Sequence, residues 1–161
     1  MKSQTAAFTG HRHIPHNKRK SLEKELTELL ERLIGEGIIY FGCGGAIGWD
    51  LMAGAAVLKL SERHKHIKLI MVLPFREQDA KWTSKQRREY KKLLDAADKI
   101  TYVSEQYYDG CYLARNRRLV EFSSVCIAYL TNTGRSGTAQ TVRLAREQGL
   151  TVYNLAEDGV G

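Results

Sequence analysis

The sequence predicts an α/β fold in three layers, with a parallel sheet of about six strands and helices on both faces. Three observations predict it. Strand-sized apolar runs alternate with longer runs of helical periodicity along the chain, the pattern of right-handed βαβ crossovers. Residues 67–73 are nearly all apolar, as a strand covered on both faces is. The third is a glycine turn, Gly42-Cys43-Gly44-Gly45-Ala46-Ile47-Gly48-Trp49-Asp50, set between an apolar run and a helix-like run. Strand, glycine turn and helix is an arrangement in which free backbone N–H groups meet an anion.

Each element has its own warrant. Residues 5–9, Thr-Ala-Ala-Phe-Thr, read as a buried strand. Leu22, Leu26, Leu29, Leu30, Leu33 and Ile34 recur at spacings of three and four, so 18–36 is a helix, stopped by Gly35 and Gly37. A second strand spans 38–42. The helix after it, 46–63, carries Ala53, Gly54, Ala55 and Ala56, small enough for close packing on a sheet. The third strand ends at Pro74. A polar helix over 77–97, a strand over 99–103, a loop bearing Tyr107, Tyr108 and Tyr112, and a helix over 113–122 follow. A strand over 124–130, a loop over 131–137, a helix over 138–148 closed by Gly149, and a strand over 150–155 complete the pattern. The tail, 156–161, is expected to fray.

At 161 residues the chain suits one domain, 1–161, with a full core. Its longest apolar runs are strand-sized, so no membrane partner is expected. No apolar stretch follows residues 1–5, so no signal peptide is expected. Cys43, Cys111 and Cys126 are three cysteines at unrelated spacings, which points to reduced thiols in a cytoplasm. The net charge of +7 suits phosphorylated partners, from nucleotides to nucleic acid, and equally a solvated helix surface.

Ligands of parallel sheets bind beyond the carboxyl ends of the strands. Those ends carry Gly10-His11-Arg12, the glycine turn, Pro74-Phe75, and residues 133–138, so four loops would enclose one site. Gly44, Gly45, Ala46 and Gly48 would offer backbone to a phosphate. Asp50 reads either as a carboxylate for a ribose or the surrounding loop, or as a first-turn acid favoured by the helix dipole. Arg12 has the bidentate fork a phosphate takes, and His11 could donate to it or act as acid or base. Both could also be loop polarity alone. Ser136-Gly137-Thr138 can bind a phosphate at a helix N-terminus or simply cap that helix.

Several chemistries find no pattern. G-x-G-x-x-G would need glycine at Ile47, and no acidic residue follows the third strand. Neither a P-loop nor G-x-S-x-G is present. His11, His13 and His16 lack metal spacing and acidic or thiol companions, so no metal is expected. Cys43, near a helix N-terminus, could have a lowered pKa, but has no base near it in sequence. Lys81, Lys85, Arg87, Arg88, Lys91 and Lys92, beside Trp82 and Tyr90, form either a solvated helix face or a nucleic-acid surface.

Together, Phe8-Thr9-Gly10-His11-Arg12, the turn over 44–50, Pro74-Phe75 with Gln78 and Trp82, Ala114-Arg115-Asn116-Arg117 and Ser136-Gly137-Thr138 resemble the YpsA-like (DUF1273) proteins of the SLOG superfamily. That superfamily also holds the DNA-processing protein DprA and the LOG cytokinin-activating phosphoribohydrolases. The resemblance covers nearly the whole chain. It implies a Rossmann-like fold and a pocket for a nucleotide or nucleotide derivative. In LOG enzymes the motif P-G-G-x-G-T-x-x-E supplies a catalytic glutamate. Here the second glycine is Arg135 and the glutamate position is Thr141, which cannot serve as that carboxylate. The Arg-Lys pair of those enzymes reads Arg115-Asn116.

The expected function is therefore a nucleotide-binding or ligand-sensing protein without LOG-type hydrolysis. The phosphate would lie on the glycine turn and the Ser136–Thr138 helix entrance. Arg12 and Arg115 would be charge partners, Asp50 and Asn116 would take polar ligand groups, and Phe75, Trp82 or Tyr112 would stack on a base. No cofactor beyond that ligand is expected, and a homo-oligomer is compatible with it. One alternative is an N-glycosidase or phosphoribohydrolase using Asp50 or His11. The other is a DprA-like single-stranded nucleic-acid binder.

Overall fold

The computed structural model describes residues 1–131 and 135–157. The expected loop over 131–137 and tail over 156–161 lie partly outside them. Six strands form one all-parallel sheet: β1 (Thr5–Gly10), β2 (Tyr40–Cys43), β3 (Lys68–Leu73), β4 (Lys99–Tyr102), β5 (Val125–Tyr129) and β6 (Thr151–Asn154). Five helices connect them: α1 (Arg19–Gly35), α2 (Trp49–Ser61), α3 (Ser84–Ala96), α4 (Cys111–Glu121) and α5 (Gly137–Glu147).

The strand order is β4-β3-β2-β1-β5-β6. From β1 the chain steps one way to β4, then returns across the sheet to β5. Right-handed crossovers put helices made in opposite directions on opposite faces. So α1, α2 and α3 cover one face, and α4 and α5 the other. The strand residues divide with period two. Ala6, Phe8, Leu69, Met71, Leu73, Val125, Ile127 and Tyr129 join the core under α1–α3. Ala7 and Val72 meet Leu119 of α4, while Cys126 and Ala128 meet Val142 and Ala145 of α5. The expected three-layer, Rossmann-like fold is present.

Element boundaries differ for identifiable reasons. β1 runs on to Gly10, which pairs with Tyr129. α2 begins at Trp49 rather than residue 46, because Gly48 holds φ at +82°, outside helical space. α3 begins at Ser84 rather than 77. Thr83 closes a capping box there: its hydroxyl accepts the Gln86 N–H and the Gln86 side chain accepts the Thr83 N–H. Gly54 gives close approach to α3 instead of the sheet, since a Cβ there would lie 2.7 Å from Leu93.

Candidate functional site

The reversal of strand order falls between β1 and β5, and the carboxyl rim at such a switch point is where α/β sheets bind ligands. The loop leaving β1 is held from both sides. The His11 N–H donates to the Tyr129 carbonyl (3.2 Å), and the His11 carbonyl accepts the Trp49 N–H (3.1 Å). The His11 ring Nε2 accepts the Thr131 N–H (3.0 Å). That bond requires a neutral imidazole, and partial burial lowers the His11 pKa accordingly. Trp49 lies over Gly10, stacks on Tyr129 at 5.7 Å and donates its indole N–H to the Ile127 carbonyl.

The glycine turn is packed rather than open. A Cβ on Gly44 would lie 2.4 Å from the Arg115 guanidinium, and one on Gly48 2.3 Å from the Arg12 carbonyl oxygen. At Gly45, with φ at +69°, it would meet Tyr90 and Met71. Each missing side chain is thus replaced by protein. The turn's principal partner is Arg115, only 4% exposed, which donates to the Gly44 carbonyl at 2.6 Å. Its Nε donates to Asn116 Oδ1 (2.7 Å), so Asn116 orients the guanidinium. Gln78, also buried, donates to the same Gly44 carbonyl and to the Tyr90 hydroxyl.

Asp50 is 5% exposed. Its Oδ2 accepts the Ala46 N–H at 3.2 Å, while among the described residues Oδ1 has no hydrogen-bond partner. Burial pushes its pKa up, and the Arg115 charge, the Ala46 N–H and the Arg12 charge pull the other way. Asp50 therefore does more than favour the helix dipole: it ties the turn to the start of α2. Cys43 is corrected by the same burial. Its thiol donates to the Asp50 carbonyl, and desolvation beside Asp50 raises its pKa, the reverse of an activated nucleophile.

Above this buried layer lies an aromatic group. Phe75, directly after Pro74, meets Tyr107 at 5.7 Å and Tyr112 at 6.0 Å. The exposed Arg12 guanidinium lies 5.0 Å from the Tyr112 ring centroid, and that of Arg115 5.9 Å. Trp82 instead packs edge-on against buried Tyr90. Tyr90 therefore has no free ring for a base, and two of the α3 cations pair with acids, Arg87 with Asp79 and Lys91 with Asp95.

At α5, Ser136 caps the helix, its hydroxyl accepting the Ala139 N–H at 3.0 Å. Thr138 is buried, and among the described residues nothing lies within 4 Å of a Cβ on Gly137. Thr141 donates back to the Gly137 carbonyl. Gly134 falls outside the described residues. Among the described residues no three His, Cys, Asp or Glu side chains gather for a metal, and no helix is long and apolar enough to cross a membrane.

The fold thus brings together His11, Arg12, the glycine turn, Asp50, Phe75, Arg115 and Asn116 through direct contacts. Ser136, Gly137 and Thr138 bond within their own helix. Site reasoning from sequence passed over Tyr107 and Thr131, and named Gln78 only among the residues of the family resemblance. A tyrosine-rich loop after a strand end signalled the first; nothing local signalled the Thr131 bond to His11.

Comparison with known proteins bears on the same architecture. A UPF0398 protein of Halalkalibacterium halodurans is 35% identical over 101 residues, 63% of this chain and 51% of that protein. The uncharacterized SPbeta prophage-derived protein YoqJ of Bacillus subtilis is 31% identical over 139 residues, 78% of this chain and 81% of YoqJ. The chain therefore spans about half the length of the UPF0398 relative. Among solved structures, DNA processing protein A from Helicobacter pylori, described for its single-stranded DNA binding mode, superposes with a TM-score of 0.66 at 22% identity. That match covers 94% of this chain and 64% of that one, and shows a shared fold. The YpsA model, described as the YspA SLOG family, matches residues 8–148, and the chain belongs to that family.

Proposed function

We propose that the protein binds a nucleotide or nucleotide derivative on the carboxyl rim and does not carry out LOG-type hydrolysis. The observation that carries this reading is the pairing of Arg12 with Tyr112 beside Phe75 and Tyr107 at the switch point. A guanidinium serves a phosphate and aromatic faces serve a base. The N-terminus of α5, which follows β5 on the same rim, is a second place where backbone N–H groups can meet that anion. Arg115 supplies a fixed buried charge below. Hydrolysis lacks its carboxylate, since Thr141 is buried and bonded within α5.

Titration calorimetry against nucleoside mono- and diphosphates and nucleotide sugars tests the reading. Binding should weaken about tenfold or more in Arg12→Ala and in Tyr112→Ala, each alteration removing one recognition contact. No binding across the panel would overturn it. Release of free base, abolished by Asp50→Asn, would replace it with the N-glycosidase alternative.

A second reading, single-stranded nucleic-acid binding, is favoured by the +7 charge and the fold shared with DNA processing protein A. Such binding should fall steeply with salt and with neutralisation of Lys85, Arg88 and Lys92. A mobility shift insensitive to those changes would remove α3 from it.

A further inference from the structure

The two faces of the sheet are covered unequally. Three helices pack on one face, and two, α4 and α5, on the other. Beside the C-terminal half of α4, toward the amino ends of the strands and away from the ligand rim, the described residues leave the second face open. A groove of about 820 Å³ lies there, with Tyr40, Ile70, Val72 and Thr101 of the sheet as floor and Leu119 and Phe122 as one wall. Phe122 is 65% exposed, an expensive placement for a phenyl ring in water.

The charges around the groove are one-sided. Lys2, Lys99 and Arg118 line it against a single acid, Glu121, and among the described residues none of the four has an ion-pair partner. A second copy docked face to face would set the same cations against themselves. A strand would pair with the edge of β4 rather than lie on the face of the sheet.

We propose that this groove is the docking site for an amphipathic helix of a partner protein, its apolar stripe flanked by acidic residues. Such a helix takes the place that a sixth helix would hold in this fold. Its apolar side covers Ile70, Val72 and Phe122, and its carboxylates meet Lys2, Lys99 and Arg118.

The test uses three designed, fluorescently labelled helical peptides of about 18 residues, five turns long. They share one leucine stripe, flanked by glutamate, lysine or glutamine. Anisotropy should show the glutamate peptide binding at least about tenfold tighter than the lysine peptide, the gap shrinking with salt. Phe122→Ser should weaken it by about tenfold, and Lys99→Glu with Arg118→Glu should reverse the preference; these positions are exposed, and circular dichroism checks that each variant is folded. Equal binding of all three peptides, or none, would overturn the proposal. So would self-association of the unaltered chain in sedimentation that Phe122→Ser abolishes, since the occupant would then be a second copy.

Discussion

The glycine turn after β2 and the entrance of α5 after β5 look alike as strings, each placing glycine before a helix. They differ in space. At the turn, Arg115, Tyr90 and the Arg12 backbone occupy the room that side chains would have taken. At α5, among the described residues, nothing lies within 4 Å of a Cβ on Gly137, and the Ser136 hydroxyl caps the helix. Glycine serves packing at the first, while at the second the described residues leave room beside it. The turn is a frame that fixes Arg115 and Asp50; the α5 entrance is held by its own cap.

Substitutions can break or sharpen that contrast. The largest effect is expected from Gly48→Ala, whose Cβ would lie 2.3 Å from a carbonyl oxygen at a φ of +82°. Left-handed backbone and overpacking together should cost about 3–4 kcal/mol, read as a lowered urea midpoint with unchanged slope. If the variant were as stable as the parent, the frame would not be tightly packed.

Arg115→Met should cost about 3 kcal/mol, because the Gly44 carbonyl loses a donor and buried Asp50 loses the cation that acts on it most strongly. Asn116→Ala should reproduce only a fraction of that, since it merely loosens the guanidinium. Ser136→Ala should cost about 1 kcal/mol in thermal or chemical unfolding, the usual loss of an N-cap. Gly137→Ala should leave stability unchanged or raise it by about 0.5 kcal/mol, the chain losing unfolded-state freedom without a clash. An equal cost at Gly137 and Gly48 would erase the distinction between the two regions.

The smallest effect concerns pH. The folded pKa of His11 lies below the ordinary 6.5, and protonation would remove the acceptor of the Thr131 N–H. The unfolded chain then binds the proton first. Stability is unaffected above 6.5 and is lost as pH falls through the lowered folded value. His11→Asn should flatten that part of the stability profile, measured as melting temperature against pH.

Much of this was legible in the chain itself. The leucines of α1 stand at helical spacing and all face the core, as their periodicity implies. The Thr83-x-x-Gln86 box was visible too, but a polar run from 77 masks it, because exposed helix and exposed turn have similar composition. The Lys- and Arg-rich α3 surface was correctly readable as charge, yet Tyr90 is buried against Gly45 of the glycine turn, Trp82 and Gln78, neighbours that composition does not encode.

By itself the sequence determined the alternation of strands and helices, the parallel sheet, the rim on which unusual residues collect, and the absence of a carboxylate at Thr141. These are local matters of period, turn chemistry and residue type. Only the tertiary structure decided what the glycines accommodate, that Arg115 is buried beneath them, and that the described residues leave one face of the sheet partly bare. The reason is the strand order. Arg115 and Gly44 are 71 residues apart and meet because the chain reverses between β4 and β5 and carries α4 back across the second face. Periodicity shows which way a side chain faces within its own element, and nothing of which element will stand opposite it.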